Sequence, residues 1–387
     1  MYKTFKVKLN PNNKQESQMF RTAGCARYAY NWALATEKAN YENGGKFIND
    51  YELRRMFTEH KQTQPWLYDV SNDALKQSIK DACDAYKRFF KNLAKRPRFK
   101  SKRKSKPSFY MDVCKIEFTD THVKLEKIAD GRKDNRQKAN WVRLVEHGYI
   151  PIGVKCANPR ITYDGLNWWI SVGVETEIEQ KQPTGRPIGI DIGIKSLAVC
   201  SDGIEYDNIN KVQTVKRLEK RHRRLQRQVS RKYQMNKKGG IYCKTSNIRK
   251  LEKQLLKSNQ RLANIRRNYT HQVTSEIIAR EPSAVVMEDL NVKGMMKNRH
   301  LAKAVQQQNF GEFYRQMQYK CEWNNIAFIT ANRFYPSSKT CSHCGAIKKD
   351  LRLSDRTYVC TDCGMVMDRD LNAAVNLAAL AKPNIAA

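Results

Sequence analysis

The sequence predicts a multidomain α+β protein, and three patterns support this fold class. Strand-like alternation occupies the first ten residues and returns over 106–182, while a helical pattern fills 13–105 between them. From residue 183 onward, short apolar strands alternate with helical segments, as in an α/β domain. The chain has 387 residues, enough for one large core or for two to three domains.

The charge balance is strongly basic: 72 Lys and Arg against 38 Asp and Glu give a net charge of +34 and a pI near 9.8. Because such an excess of positive charge repels itself, it predicts a polyanionic partner. Nucleic acid is the leading candidate, and a membrane surface is the weaker one. No apolar run reaches 18 residues, and the N-terminus lacks a signal-peptide apolar region, so we expect a soluble intracellular protein. Most of the 11 cysteines stand singly, as buried thiols do in a reducing cytosol.

The N-terminal strand is marked by Phe5, Val7 and Leu9 on one side, with lysines on the other. Pro11 and the asparagines after it end this alternation. A helix is predicted next, because apolar residues recur with helical spacing at Met19, Ala23, Ala26, Tyr30 and Ala33.

A second helix is expected to begin at Ser71, a residue type favoured at the N-cap. Its apolar stripe consists of Leu75, Ile79, Ala82, Tyr86, Phe89 and Leu93. A basic edge lies beside the stripe, formed by Lys76, Lys80, Lys87 and Lys91. Such an edge is either an ordinary solvated face or a surface for phosphates, and one helix alone does not decide between them.

A concentrated basic segment follows, KRPRFKSKRKSK at 95–106, with Phe99 as its one aromatic residue. A single aromatic is weak support for base stacking, whereas the charge suits a polyanion. Between 108 and 179 the β-like runs are short and separated by turn residues, which predicts a small barrel or sheet that the N-terminal strand joins. The helical block is then an insertion within that β domain.

The α/β pattern begins with PIGIDIGIKSLAVCSDGIEY, which predicts a hairpin and a third strand. Residues 211–267 predict two long helices joined near MNKKGG; they carry 20 Lys or Arg and two Glu, a net charge of +18. So basic a segment can still be helical if an apolar seam packs on the core and a polyanion covers the outer face. The alternative is a coiled-coil arm that binds no nucleic acid. SAVVMEDL and IAFIT are predicted strands, and QNFGEFYRQMQYKCEWNN between them is a predicted amphipathic helix.

Four cysteines form the pattern C-x2-C-x15-C-x2-C, with a glycine after each pair: Cys341, Cys344, Cys360 and Cys363. Four thiolates on two tight turns are the tetrahedral donor set of a structural zinc. Since all four positions are thiolates, we expect one structural Zn2+ with no open position for catalysis. A redox-active CxxC is the alternative, and two matched pairs at this spacing argue against it.

Three carboxylates stand out by position. Asp191 lies in the otherwise apolar strand GIDIGIK, where an ionised side chain is costly unless it is paired or bound to metal. Glu288 stands where AVVMEDL leaves its strand, and Asp370 precedes the helical LNAAVNLAAL. Such carboxylates can converge on two Mg2+ ions that support phosphodiester cleavage. The alternatives are N-capping for Asp368 or Asp370 and a solvated strand end for Glu288.

Together these motifs resemble the TnpB family, RNA-guided nucleases encoded by certain insertion sequences and related to compact type V CRISPR effectors. The resemblance covers essentially the whole chain and rests on PRFKSKR, GIDIGIKSLAV, MEDLNVKGM, the paired CxxCG motifs and DRDLNAAVNLA. It implies a small β-barrel wedge domain (1–12 and 106–182) with an inserted helical recognition domain (13–105). It also implies an RNase H-like α/β RuvC nuclease domain (183–336 and 365–387) with an inserted zinc-ribbon finger for target nucleic acid (337–364).

By the same resemblance, Asp191, Glu288 and Asp370 look like the RuvC catalytic triad of a DNA endonuclease that uses two Mg2+ or Mn2+ ions. Asp370 matches because it stands two residues before Asn372, which leaves Asp368 as a neighbour or a helix cap. The implied partners are a guide RNA from the transposon end and double-stranded target DNA, cut beside a short transposon-adjacent motif.

The expected assembly is a monomer with one RNA in a prokaryotic cytoplasm, associated with the nucleoid. Two other functions stay open: a guide-independent RuvC-type nuclease on branched DNA, and an RNA-guided DNA-binding regulator that does not cleave. Candidate nucleic-acid contacts are Lys76, Gln77, Lys80, Arg98, Lys100, Lys102 and Arg103.

Overall fold

The computed structural model of the protein describes residues 2–128, 139–177, 182–352 and 354–381. The chain divides into two compact units, Met1–Glu177 and Ile178–Ala387. No helix in the described ranges is long and apolar enough to cross a lipid bilayer. Parts of three predicted segments lie outside the described residues, namely 129–138 and 178–181 of the wedge, 353 of the finger and 382–387 of the nuclease domain.

One antiparallel sheet of seven strands forms the first unit's β layer. Its strands are β1 (Tyr2–Asn10), β2 (Ser108–Tyr110), β3 (Glu117–Phe118), β4 (His122–Lys124), β5 (Trp141–Leu144), β6 (Cys156–Tyr163) and β7 (Trp168–Glu175). Their order is β2-β6-β7-β1-β5-β4-β3, so the N-terminal strand lies between strands from the end of the unit. Among the described residues, the edge strands β2 and β3 do not pair with each other, so the hydrogen bonding is that of an open sheet.

Three helices follow β1 in the chain: α1 (Asn13–Glu42), α2 (Asp50–Gln62) and α3 (Asn72–Phe90). The predicted stripe on α1 is confirmed, since its residues from Met19 to Ala33 are buried. The helix starts with a capping box in which Asn12 and Gln15 exchange side chain-to-backbone hydrogen bonds of 2.9 and 3.0 Å.

The second predicted helix begins where expected but ends earlier. Ser71 holds the N-cap position, but its hydroxyl donates to the carboxylate of Glu126 instead of capping the backbone. At the other end α3 stops at Phe90, and Asn92 just beyond it has a left-handed φ of 57°. Leu93 therefore lies outside the helix and is 69% exposed, so its predicted place in the buried stripe is wrong.

The second unit contains a five-stranded mixed sheet and two short hairpins. Its strands are β8 (Ile188–Ile192), β9 (Ser196–Cys200), β10 (Glu205–Asp207), β11 (Lys237–Lys238), β12 (Ile241–Tyr242), β13 (Ala284–Glu288), β14 (Ala327–Ala331), β15 (Thr357–Val359) and β16 (Val366–Asp368). The sheet order is β10-β9-β8-β13-β14. The first three strands are antiparallel neighbours, and β13 runs parallel to both β8 and β14. The predicted hairpin, third strand and later strands are thereby confirmed.

The helices of this unit are α4 (Gln213–Met235), α5 (Ser246–Ala279), α6 (Val292–Met295), α7 (Ala302–Gln308), α8 (Phe310–Trp323) and α9 (Arg369–Ala379). α4 and α5 are the two predicted basic helices, and the β11–β12 hairpin joins them. α5 runs beyond the predicted end at 267 because Val273 and Ile277 pack into the sheet core. Short 3-10 helices occupy Pro65–Asp69 in the first unit, Val113–Lys115 in the same unit, and Ile209–Lys211 in the second.

Candidate functional site

Asp191 lies on β8, in the middle of the second unit's sheet. The strand packs directly against α9, because Gly189 has no side chain: a Cβ there would lie 2.0 Å from the carbonyl oxygen of Ala374. Burial raises the pKa of the Asp191 carboxyl well above its ordinary value, and the negative charges of Glu288 and Asp370 raise it further. Asp191 nevertheless keeps part of its surface accessible to solvent.

Glu288 ends β13, the strand parallel to β8. The strands are in register with Met287 opposite Ile190, so extending the register by one residue places Glu288 beside Asp191. In parallel neighbouring strands, residues in register point to the same face with backbones about 4.8 Å apart. The carboxylate of Glu288 accepts a hydrogen bond from the hydroxyl of Ser337, a residue only 3% exposed.

Asp370 lies in the first turn of α9, and a second acid, Asp368, stands just before that helix. The Asp368 side chain accepts hydrogen bonds of 2.8 and 3.2 Å from the backbone N–H groups of Asp370 and Leu371. Asp368 is therefore the helix cap. Asp370 instead pairs with guanidinium groups, at 3.0 Å from Arg369 and 3.7 Å from Arg356.

These three acids come from separate parts of the chain, and Glu288 and Asp370 both place negative charge at Asp191. Asp191 and Glu288 lie near the carboxyl ends of β8 and β13, so we call this end of the sheet the acidic edge. Their ligand atoms do not form a tight trio. Among the described residues, the cysteine cluster is the only group of three or more His, Cys, Asp or Glu whose ligand atoms all lie within 4.8 Å of one another. Hard carboxylate oxygens are the donor type that Mg2+ and Mn2+ prefer. The three carboxylates thus supply the donor type of a divalent cation, but they are not drawn together around one point as the cysteines are.

The four predicted zinc ligands meet at one point. The Sγ atoms of Cys341 and Cys363 are 3.6 Å apart, as are those of Cys344 and Cys360. Tetrahedral zinc with Zn–S bonds of about 2.3 Å requires sulfur separations of about 3.8 Å, so the geometry fits. Each pair is followed by a left-handed glycine, Gly345 at φ 80° and Gly364 at φ 73°, which closes the turn around the ligands.

Two buried asparagines of α9 connect this cysteine finger to the acidic edge. Asn372 is fully buried; its Oδ1 accepts from the Ser342 N–H at 3.0 Å and its Nδ2 donates to the Thr340 carbonyl at 2.7 Å. One turn later, Asn376 donates to the carbonyls of Ser337 and Thr340 at 2.8 and 2.6 Å. The helix carrying Asp370 is therefore tied to the same segment whose Ser337 bonds to Glu288.

Sequence reasoning did not find Ser337, Arg369 or Asn376 as part of this region, nor the contact of Arg356 with Asp370. A signal existed for the asparagines, because two amides four residues apart in the apolar LNAAVNLAAL share one helix face. Buried amides need partners, so that spacing predicts a polar contact. Nothing in the sequence indicates that Ser337 bonds to Glu288, because that contact joins segments 49 residues apart, and charge alone does not show which acid Arg356 and Arg369 pair with.

The predicted nucleic-acid residues on α3 lie in two environments. Lys76 and Lys80 are exposed. Gln77 is half-buried and donates to Asp81 at 2.9 Å, and Arg160 holds the same carboxylate with two hydrogen bonds of 2.8 and 2.9 Å. Burial raises the pKa of Asp81, but the hydrogen bonds from Arg160 and Gln77 outweigh it and hold that pKa below its usual range. The Gln77 amide is thus engaged in a hydrogen bond within the protein, unlike the two exposed lysines.

In the basic segment, Lys100 differs from the other candidates. Its Nζ lies 3.6 Å from the ring centroid of Tyr30, and its backbone N–H and carbonyl both bond to the Asn31 side chain at 2.8 Å. Burial lowers the pKa of Lys100. This lysine anchors the segment to α1, while the exposed candidates are Arg98, Lys102 and Arg103.

The fold and these sites define a mixed α+β protein with an acidic edge and a four-cysteine finger, and three family models match parts of its chain. The model OrfB_IS605, described as "Probable transposase", matches residues 170–299, and "Cas12f1-like, TNB domain" matches 310–377. A "Helix-turn-helix domain" model matches 1–46, where the structure has β1 and α1.

Two curated relatives match nearly end to end. A "Putative RNA-guided DNA endonuclease" of Streptomyces pristinaespiralis is 30% identical, over 97% of this chain and 89% of the relative. The "Putative RNA-guided DNA endonuclease InsQ" of Escherichia coli K12 is also 30% identical, over 97% and 91%. The fold is similar to a solved Cas12f1–sgRNA–target DNA complex, with TM-score 0.60, 13% identity and 98% of both chains covered. The chain belongs to the TnpB family, which confirms the resemblance seen in its motifs.

Proposed function

We propose that this protein is an RNA-guided DNA endonuclease whose cutting site is the acidic sheet edge of an RNase H-like RuvC domain. The observation that carries the proposal is the position of Asp191: its carboxyl lies beside Glu288, and the negative charge of Asp370 raises its pKa. The names of the two relatives at 30% identity support the same activity.

In this proposal Asp191, Glu288 and Asp370 hold two divalent cations, Mg2+ or Mn2+. Two such ions about 3.5–4 Å apart activate a water and stabilise the leaving oxygen in phosphodiester cleavage. Asp191 would be the central ligand, because the charges of both Glu288 and Asp370 act on its carboxyl. Ser337 orients Glu288, and Arg369 and Arg356 offset the charge of Asp370 when no cation is bound.

Two basic grooves suit the nucleic-acid partners. In the second unit, a groove of about 750 Å³ along α4 and α5 is lined by Arg223, Arg266, Arg267 and Lys303, together with Glu219 and Glu312. In the first unit, a groove of about 930 Å³ along α1 is lined by Arg21, Arg27, Lys102, Arg103 and Lys104 among others. Phosphate contacts of this kind bind without reading sequence, which agrees with base pairing to a guide RNA as the source of specificity.

The remaining parts follow the family pattern. One structural Zn2+ on the four cysteines holds the finger at 337–364, the guide RNA comes from the transposon end, and double-stranded target DNA is cut beside a short transposon-adjacent motif. Lys76, Lys80, Arg98, Lys102 and Arg103 are proposed phosphate contacts. We propose a monomer with one RNA, working in the prokaryotic cytoplasm at the nucleoid.

The test uses protein purified from cells that also carry the transposon-end DNA. Wild-type protein should carry one discrete RNA and should cut, in Mg2+, only plasmids with a sequence matching that RNA. Asp191→Ala should retain the RNA and lose cutting, whereas Asp202→Asn, an acid elsewhere in the same unit, should cut normally. Cutting by protein with random RNA would instead indicate a guide-independent nuclease, and discrete RNA without cutting would indicate a regulator.

A further inference from the structure

One aromatic side chain beside the acidic edge has no packing role of its own. Phe334 is 88% exposed, the most exposed large apolar residue of the described chain. Single exposed apolar residues are common on protein surfaces, so exposure alone indicates nothing. Two further observations, the rigidity of its loop and its position, set Phe334 apart.

The loop that carries Phe334 is held in place. Its backbone N–H donates to Asn332 Oδ1 at 2.9 Å, and the Tyr335 N–H donates to the Asn332 carbonyl at 2.9 Å. Tyr335 then packs inward with Val286 and Leu377. Tyr335 therefore packs against the core, while the turn leaves the neighbouring Phe334 in solvent.

The loop also brackets Glu288. It begins after Ala331, which pairs with Glu288 across β14 and β13. It ends at Ser337, whose hydroxyl donates to Glu288. Phe334 is three residues from each end, so its Cα lies within about 11 Å of Ala331. Beside it, Arg333 pairs with Asp289, the residue after Glu288. Phe334 thus lies on the loop that flanks the acidic site at both of its ends.

We propose that Phe334 is a stacking platform for an unpaired base of the strand to be cut, and so a positioning residue for cleavage. The inference rests on the proposed nuclease function and adds a substrate contact to it. Bases within a duplex already stack on their neighbours, so a fixed protein ring selects a base that is unpaired. Because every base has a π-face, the contact carries no sequence preference.

The chemistry separates stacking from mere apolar contact. Phe334→Leu keeps an apolar side chain but lacks a ring, whereas Phe334→Trp keeps a ring. Since the ring is almost fully exposed, neither change, nor Phe334→Ala, should alter thermal unfolding. Any effect on substrate then comes from the contact itself.

The experiment uses the RNA-loaded protein and single-stranded DNA that contains 2-aminopurine. In Ca2+, wild-type protein and Phe334→Trp should quench 2-aminopurine fluorescence, and the Leu and Ala variants should not. In Mg2+, the Leu and Ala variants should raise KM for the single strand about 5- to 100-fold, the range expected for one lost base stack, with a smaller change in kcat.

Two outcomes would overturn the inference, and they are distinguishable. If wild-type protein cuts its target while Phe334→Leu matches it in KM and quenching, the stacking role is refuted and the nuclease function stands. If wild-type protein cuts no matched target, the proposed function and this inference fail together.

Discussion

The second unit carries two candidate metal sites of opposite construction. The cysteine finger takes all its ligands from two short turns, with sulfurs already at the spacing that zinc requires. The acidic edge takes its ligands from β8, β13 and α9, and without metal Asp370 is held by arginines and Glu288 by a serine. With zinc bound, the first site would be closed and structural, whereas the acids of the second would have to exchange their present partners for a cation.

The largest effect should come from the open site. We expect Asp191→Ala to reduce guided cutting by at least about 1,000-fold, the scale found when one member of an interdependent catalytic group is removed. Because Asp191 is buried beside the negative charges of Glu288 and Asp370, its removal should not lower the free energy of unfolding. Cleavage rate and thermal unfolding measure the two effects. A variant that still cut would remove the acidic edge from the mechanism.

The closed site should respond through folding. Cys341→Ser should lose bound zinc and, with it, much of the roughly 10 kcal/mol that a structural zinc contributes to local folding. Metal analysis and limited proteolysis across 337–364 measure this. Cys243→Ser, a half-buried cysteine on the basic hairpin, is the matched control and should keep its zinc. Equal zinc content in both variants would contradict the four-thiolate site.

The connection between the two sites should have an intermediate effect. Asn372→Ala leaves the Ser342 N–H without a partner and removes one of the two hydrogen bonds to the Thr340 carbonyl, at a cost of about 1–3 kcal/mol. We expect zinc to be retained while Mn2+ affinity at the acidic edge falls, because α9 positions Asp370. Isothermal titration with Mn2+ tests this, with exposed Asn264→Ala on α5 as control. Unchanged Mn2+ affinity would mean that the two sites are independent.

The smallest effect should be a pH dependence of stability without added Mg2+. The raised pKa of Asp191 means that the folded state keeps a proton that the unfolded chain releases near pH 4. Stability should therefore fall as pH rises from about 4 through the folded-state pKa of Asp191. Asp191→Asn should flatten this part of the unfolding profile, and the same slope in both proteins would assign it to another group.

Local patterns explain how much of this was predictable. The stripe of α1, the strands β1, β8 and β13, and the cysteine spacing are readable because each depends on neighbours in sequence. The stripe of α3 was overextended to Leu93 because hydrophobic periodicity does not detect a left-handed residue such as Asn92.

Contacts between distant segments set the limits of sequence reasoning. Lys100 was grouped with the nucleic-acid candidates by charge, yet it lies over Tyr30, about seventy residues earlier in the chain. Gln77 was grouped with its lysine neighbours, but its amide donates a hydrogen bond to Asp81. The same carboxylate accepts from Arg160, a residue far along the chain that the sequence does not connect with this helix. At the acidic edge, only the register of β13 with β8 and the packing of α9 on Gly189 bring the carboxylates together.

The most direct test is to locate Mn2+ by anomalous diffraction in crystals of the RNA-loaded protein soaked with MnCl2. Anomalous peaks should lie about 2.2 Å from carboxylate oxygens of Asp191, Glu288 and Asp370, with Arg369 turned away from Asp370. An empty acidic edge at saturating Mn2+, in crystals whose dissolved protein still cuts matched DNA, would contradict the assignment of these three acids as the cutting site.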